Sequence, residues 1–184
     1  MGGVLGYFWG SKPDNDPKLD IPDPATGLTP RERQLVVDTW AIVKQDAKGN
    51  GVDLFMGFFE AHPDYQNRFP SFVGIPLPEL RGSKKLTAHA ANVMYSLTSV
   101  VDNLEDPECL TELLIKLGEN HGRRKVTEKE FHDLKTVLMQ LLKQKLGSKL
   151  TSQGEEAWSK TVDVAYKFIF EGITKYQASK GQQK

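Results

Sequence analysis

The sequence offers little for a disulfide framework, for a strongly charged partner or for a membrane span. Cys109 is the only cysteine in 184 residues, so no disulfide can form within the chain, which fits a reducing compartment. Lysine and arginine total 24, and aspartate and glutamate also total 24, so no excess charge favours nucleic acid as a partner. No apolar run approaches the roughly 18 residues of a spanning helix. We therefore expect one cytoplasmic domain, a monomer or weak homodimer, with Cys109 either idle or crosslinking two chains.

Proline is absent after Pro107 and is concentrated near the start of the chain. Four prolines alternate with aspartates between positions 13 and 24, a composition that neither sustains a helix nor buries enough apolar surface to become ordered. We therefore predict a flexible extension over residues 1–27, a folded domain over 28–176 and a frayed end over 177–184. The proline-free second half of the chain favours two long closing helices.

The first nine residues carry a candidate signal for lipid attachment. Gly2 follows the initiator methionine, as N-myristoylation requires, but Gly6 stands where that motif usually has serine or threonine. One acyl chain holds a membrane only marginally, so the aromatic side chains at 7–9 would have to supply a second contact at the lipid headgroups. Two interpretations stay open: a myristoylated Gly2 that attaches the protein to the inner face of the plasma membrane, or an unmodified tail.

From residue 28 onward the apolar residues recur at helical spacing, which predicts an all-α fold. Thr29 with Glu32, and Thr127 with Glu130, have the spacing of a capping box, so a helix should begin at each threonine. The glycines at 49 and 51 should end the first helix or bend it into a second that runs from about 52 to 61. We further predict a long helix from residue 80, a helix that Gly147 ends and a last helix over about 151–176.

Two histidines, His89 and His121, each lie in the apolar stripe of a predicted helix. The apolar residues around His89 fall at 86, 93, 97 and 100, and those before His121 fall at 110, 113, 114 and 117. Pro107 cannot continue the first of these helices but suits the first turn of the second, so the two helices could face each other. Most histidines on apolar faces are ordinary core residues, and that interpretation stays open. The alternative is a flat apolar group such as haem between the helices, with one imidazole on each side of its iron.

Several segments resemble the globin family in both order and spacing. The residues that carry the resemblance to its distal and proximal helices are 85–94 and 113–122. Residues 54–63 and 69–72 resemble the segment that presents a phenylalanine to the haem, and Trp40 matches the tryptophan of the first globin helix. The resemblance covers the chain from about Leu28 to Ile173, and it implies a fold of seven or eight helices around haem b.

The resemblance also implies roles for individual residues. It makes His121 the proximal iron ligand and puts His89 on the distal side, where it either donates a hydrogen bond to bound oxygen or binds the iron itself. The residues that it places around the haem are Phe55, Phe69, Val93, Leu117, Val126 and Phe131. In the basic run after His121, Arg124 or Lys125 could contact the haem propionates, or the run could be a solvated charge cluster. This turn has one residue fewer than vertebrate globins typically have.

Within that family, residues 92–97 and 100–107 look most like the cytoglobin group, with neuroglobin and the membrane-anchored globin X group nearby. Those relatives commonly close the sixth iron position with the distal histidine, so we expect bis-histidine coordination, although Asn92 replaces the basic residue that many of them carry. The resemblance implies reversible binding of oxygen, nitric oxide or carbon monoxide. The alternative is a redox role as a nitric oxide dioxygenase, a nitrite reductase or a lipid-protecting protein at a membrane. Nitric oxide conversion would need a separate reductase, because the chain has no room for a flavin or nicotinamide domain.

Overall fold

The computed structural model describes residues 16–181, and within that range it contains seven α-helices and no strand. The helices are α1 (Pro30–Val43), α2 (Ala47–Ala61), α3 (Leu77–Arg81), α4 (Lys84–Asp102), α5 (Pro107–Arg123), α6 (Glu128–Leu146) and α7 (Ser152–Gly181). Short 3-10 segments lie at Pro17–Asp20, Lys44–Asp46, Pro63–Arg68 and Gly147–Lys149. The predicted all-α class is confirmed. None of the helices described is both long and apolar enough to cross a membrane.

The predicted starts of α1, α5 and α6 are confirmed, because each depends on a cap made by neighbouring residues. At α1, the Thr29 N–H donates to Glu32 Oε2 at 2.8 Å and the Glu32 N–H donates to Thr29 Oγ1 at 3.2 Å. At α5, Pro107 occupies the first turn and Asp106 Oδ1 accepts from the N–H of Cys109, whose side chain is exposed. These caps satisfy N–H groups that would otherwise be left without partners, so they fix where each helix begins.

Residues 16–27 have a defined conformation, which the proline and aspartate pattern did not predict. Asp16 caps the 3-10 segment Pro17–Asp20, and Asp23 Oδ1 accepts from the N–H of Thr26 at 2.8 Å. Thr26 is 3% exposed and packs its turn onto the domain beside Leu28, which is fully buried. Aspartate side chains thus stabilise turns in 16–27, and the flexibility predicted for the extension stays a prediction. Residues 1–15, with the predicted Gly2 site, lie outside the described residues.

The break predicted at the glycines after α1 is also in the wrong place. The chain passes through the 3-10 segment Lys44–Asp46 and enters α2 at Ala47, because Asp46 Oδ1 accepts from the N–H of Gly49 at 3.0 Å. Gly51 then lies inside α2 rather than in a loop. A Cβ atom at Gly51 would lie only 2.9 Å from the carbonyl oxygen of Ala90, so this glycine allows α2 to approach α4 next to His89.

Two further helix boundaries differ from the sequence prediction. The long helix that carries His89 begins at Lys84 rather than at residue 80, because Gly82 ends α3 and Ser83 caps α4. At the other end of the chain, α7 continues to Gly181, beyond the end predicted at about Tyr176. The guanidinium of Arg123 lies 5.8 Å from the centroid of the Tyr176 ring, so α5 contacts α7 at the predicted end of the helix. Residues 182–184 lie outside the described range.

Two tryptophans join α1, α4 and α7 at the centre of the core. Trp40 and Trp158 are each 1% exposed, and their ring centroids are 5.6 Å apart. The Nε1 of Trp40 donates to Thr98 Oγ1 on α4 at 3.1 Å, and the Nε1 of Trp158 donates to Thr39 Oγ1 on α1 at 2.9 Å. Each indole therefore buries its ring and also satisfies its N–H group. This pair anchors the histidine helix α4 to the rest of the domain.

Candidate functional site

His89 on α4 and His121 on α5 are half-buried and lie close enough to influence each other. Burial lowers the pKa of His89 below its ordinary value, and the nearby His121 and Arg124 lower it further. Burial also lowers the pKa of His121, opposed by a hydrogen bond to Leu117 and assisted by Arg124. Both rings are therefore neutral at neutral pH, and a neutral imidazole has the free nitrogen lone pair that binds a metal.

The ring of His121 is held in one tautomer and one orientation. Its Nδ1 lies 2.9 Å from the carbonyl oxygen of Leu117, one turn earlier on α5. Because a carbonyl oxygen can only accept, Nδ1 carries the proton and Nε2 keeps its lone pair. The ring of Phe131 packs edge-on against the imidazole, with 5.2 Å between the ring centroids. Histidines that bind metals usually have their second nitrogen engaged in this way, which makes His121 a well-oriented ligand.

His89 lies among aromatic rings and has no fixed hydrogen bond. The ring centroids of Phe55, Phe69 and Phe72 lie 4.8, 5.2 and 6.3 Å from that of His89, all at steep angles. Within residues 16–181 neither nitrogen of this imidazole has a hydrogen-bond partner. Because neither nitrogen is bonded to another part of the described chain, the imidazole of His89 is available to a ligand.

The six residues predicted around the haem all belong to one apolar core or pack against it. Phe55 and Phe131 are buried, whereas the other four, Phe69, Val93, Leu117 and Val126, are partly buried. A cavity of about 230 Å³ between α4 and α5 is lined in part by Leu117, and neither histidine lines it. The structure brings Phe55 and Phe69 against His89 and Phe131 against His121. Contact of these six residues with a haem stays a prediction.

The donor set fits haem better than a bare metal ion. Among the described residues, no group of three or more histidine, cysteine, aspartate or glutamate side chains could hold a metal. Two neutral imidazoles on different helices are instead suited to an iron whose remaining four ligands come from a porphyrin. The aromatic and aliphatic side chains around the two rings suit the flat apolar macrocycle.

The Globin family model matches residues 52–169 of this chain, which is more than half of its length and includes both histidines. The chain is a globin. The resemblance drawn from the sequence is therefore confirmed.

Individual relatives of this globin cover nearly all of its folded part. It is 28% identical over 147 residues to a protein named Globin from Nerita albicilla, with 80% of this chain and 94% of the relative covered. It is 32% identical over 147 residues to Cytoglobin-2 of Danio rerio, with 79% of this chain and 80% of the relative covered. Its structure is similar to that of a hexacoordinate haemoglobin of Drosophila melanogaster, with a TM-score of 0.72, 28% identity and coverage of 78% and 94%.

The short turn after α5 places a cation near both histidines of this globin. Arg124 is exposed, and its guanidinium donates to the carbonyl oxygen of Asn120 at 3.0 Å. Its charge lowers the pKa of both His89 and His121, so it lies near both rings. Lys125 next to it has a φ of 57°, a left-handed conformation that closes this shortened turn. The position of Arg124 suits an anionic group at the edge of a ligand, such as a carboxylate.

The contact between α5 and α7 was not predicted from the sequence. A Cβ atom at Gly118 would overlap the carbonyl oxygen of Ile169, and one at Gly172 would overlap that of Ile115. The two backbones therefore touch directly on the side of α5 that faces α7. Gly118 and Gly122 are four residues apart, so they lie on one face of the helix, and this spacing is the sequence signal that could have indicated the contact. We call this contact the glycine seam; it sets the position of α5 and hence of His121.

Proposed function

We propose that this globin binds haem b between α4 and α5, with His121 as the proximal ligand of the iron. We further propose that His89 occupies the sixth position when no external ligand is bound. The observation that carries the proposal is the contrast between the two imidazoles, one fixed through Nδ1 and the other without a hydrogen-bond partner in the described chain. The name of the hexacoordinate haemoglobin of Drosophila supports the same coordination.

The bound haem would supply an iron that binds oxygen, nitric oxide or carbon monoxide. The carbonyl oxygen of Leu117 would keep His121 oriented and increase the basicity of its Nε2. Phe55 and Phe69 would exclude water from the distal side, which slows oxidation of the iron. His89 would compete with a gas for the sixth position and, once displaced, donate a hydrogen bond to a polar gas ligand. Reversible gas binding follows from these roles.

The visible spectrum of the ferrous, gas-free protein tests this coordination. We expect the two sharp bands of a six-coordinate iron for the wild type and a single broad band for His89→Leu, because leucine cannot bind iron. His132→Leu is the matched control, since His132 is exposed on α6, and its spectrum should equal that of the wild type. A single broad band in the wild type would show that the sixth position is open and would contradict the bis-histidine proposal.

A redox role is the second candidate function, as nitric oxide dioxygenase, nitrite reductase or lipid-protecting protein. The exposed basic run formed by Arg123, Arg124 and Lys125 lies beside the site and could attract an acidic reductase. Rates of oxygen release and of ferric reduction by a flavoprotein reductase separate the two functions. Fast release with slow reduction supports gas storage or transport, and fast reduction supports the redox role.

We also propose that Gly2 is myristoylated and holds the protein at the inner face of the plasma membrane. The support is the sequence alone, with Gly2 after the initiator methionine and aromatic residues at 7–9. Mass spectrometry of the natural N-terminus should find the myristoyl mass on Gly2. An unmodified Gly2 would overturn this proposal without affecting the haem site.

A further inference from the structure

Tyr65 belongs to a polar cluster at the surface, away from the two histidines. It lies in the 3-10 segment Pro63–Arg68, and its hydroxyl donates to Asp133 Oδ2 on α6 at 2.6 Å. Lys129 Nζ donates both to that carboxylate at 2.7 Å and to the Tyr65 oxygen at 2.9 Å. His62 stacks on the Tyr65 ring with 5.1 Å between centroids, and its Nδ1 lies 3.9 Å from Asp133 Oδ2. The Tyr65 side chain is thus half-buried, and its hydroxyl both donates and accepts a hydrogen bond.

This arrangement gives the proton of Tyr65 a place to go. A base can take a proton when it lies within about 2.6–3.2 Å of the donor, and Asp133 meets that distance. Hydrogen bonds from Lys129 and Tyr65 hold the pKa of Asp133 below its usual value, so the carboxylate is ionised and already accepts the hydrogen bond of the phenol. Loss of an electron makes a phenol strongly acidic. A tyrosine with a carboxylate in contact can therefore lose an electron and a proton together.

A series of ring contacts connects Tyr65 with the proposed haem site. The centroid of Tyr65 lies 5.3 Å from that of Phe58, which lies 6.4 Å from Phe55, which in turn lies 4.8 Å from His89. Phe55 and Phe58 are buried, so the series crosses the core without a solvent gap. Electron transfer slows steeply with the width of the gaps between groups, and contacts in series keep these gaps narrow.

Tyr166 provides an internal comparison on the other side of the site. It is separated from His121 by one ring only, because Phe131 lies 5.3 Å from Tyr166 and 5.2 Å from His121. Its hydroxyl, however, donates to the carbonyl oxygen of Phe131 at 2.7 Å, and a carbonyl oxygen is not a base that can take the proton. Burial also raises the pKa of Tyr166. The shorter path to the proposed haem site favours Tyr166 as an electron donor. The carboxylate that can take its proton favours Tyr65.

We propose that Tyr65 is a redox-active tyrosine that supplies an electron to the haem site and a proton to Asp133 while the protein reduces an organic hydroperoxide. This inference rests on the proposed haem binding. The O–O bond of the hydroperoxide breaks as it takes up two electrons and two protons, which gives one alcohol and one water. An iron held at the site in the ferrous state would supply one electron and become ferric, and Tyr65 would supply the other. The O–H bond of Tyr65 breaks, its proton moves to Asp133, and two protons from solvent complete the alcohol and the water. A neutral tyrosyl radical remains.

The test uses the full chain loaded with haem, reduced to the ferrous state and mixed with cumene hydroperoxide. Electron paramagnetic resonance after rapid freezing should show a tyrosyl radical in the wild type. Tyr65→Phe keeps the ring contacts and removes only the hydroxyl, so the signal should be lost. Asp133→Asn keeps a hydrogen-bond acceptor but removes the base, so the signal should be lost there too.

Two matched variants decide which tyrosine carries the radical. Tyr166→Phe and Tyr95→Phe should both keep the signal, since Tyr166 lacks a base and Tyr95 is 61% exposed and outside the ring series. A signal that persists in Tyr65→Phe, or that disappears in Tyr166→Phe, would overturn the proposal. Spin trapping followed by peptide mass spectrometry gives a second readout, with the adduct expected on Tyr65 in the wild type.

The haem absorption band of each sample shows whether haem is bound, and it therefore distinguishes failure of the proposed function from failure of this inference. A protein that binds no haem overturns both the proposed function and this inference. A protein that binds haem and consumes hydroperoxide without a radical on Tyr65 overturns the inference alone.

Discussion

Replacement of His121 by alanine is expected to speed haem loss more than any other single change in the site. Loss of a hydrogen-bond partner of a metal-binding histidine typically costs roughly 10- to 100-fold in metal affinity, and loss of the ligand itself should cost more than that. The expected effect is large because Leu117 holds the ring of His121 in the tautomer that leaves Nε2 free to bind iron. Transfer of haem to an excess of a haem-free acceptor protein measures the rate.

The matched controls for His121→Ala are substitutions of the other histidines. His89→Ala should keep haem bound to His121 with an open sixth position, and His132→Ala on the exposed face of α6 should leave the rate unchanged. Added imidazole should slow haem loss in His121→Ala, because it can bind iron in the space that the side chain leaves. Equal rates for His121→Ala and the wild type would contradict the assignment of the proximal ligand.

Replacement of Gly172 by alanine is expected to destabilise the protein even though alanine favours helices. The new methyl group would overlap the carbonyl oxygen of Ile115, and backbone atoms on both sides of the glycine seam would have to separate. Overpacking of this kind costs about 1–3 kcal/mol and sometimes more, whereas the better helix propensity of alanine offsets only about 0.5–1 kcal/mol. We expect the free energy of unfolding to fall by about 1–2 kcal/mol, measured by urea denaturation of the haem-loaded protein.

Gly154→Ala is the matched control on the same helix. A Cβ atom at Gly154 would meet only side-chain atoms of Leu150 and Thr151, at 3.4 and 3.5 Å, so this change should be neutral or slightly stabilising. The Gly172→Ala protein should also show a changed ratio of six- to five-coordinate iron, because α5 must shift with His121. Equal stability for the two variants would show that the backbones of α5 and α7 can separate without cost.

Features that depend on neighbouring residues could be predicted from the sequence. The starts of α1 and α6 could be predicted because Thr29 and Thr127 each form a capping box with a glutamate three positions later. The two histidines could be found because each lies in an apolar stripe. The break that the sequence predicts at Gly49 and Gly51 is wrong, because the cap from Asp46 and the approach of α4 outweigh the low helix propensity of glycine.

Features that depend on distant partners could not be predicted from the sequence. Tyr65 and Asp133 are 68 positions apart, and no local pattern indicates that they meet. The same holds for Gly118 and Ile169, which become neighbours only once α7 folds back along α5. The order in residues 16–27 depends on burial of Thr26 and Leu28 by the rest of the domain. The amino-acid composition of a segment does not indicate any of these contacts.

The exposed thiol of Cys109 provides one site for thiol-specific labelling. It stands in the first turn of α5, just after the corner between the two helices that carry the histidines. A nitroxide or fluorophore attached there would have no competing site on the chain, since no other cysteine exists. Such a label could report, without further engineering, how the corner at Asp106 and Pro107 responds when a gas is added to the haem-loaded protein.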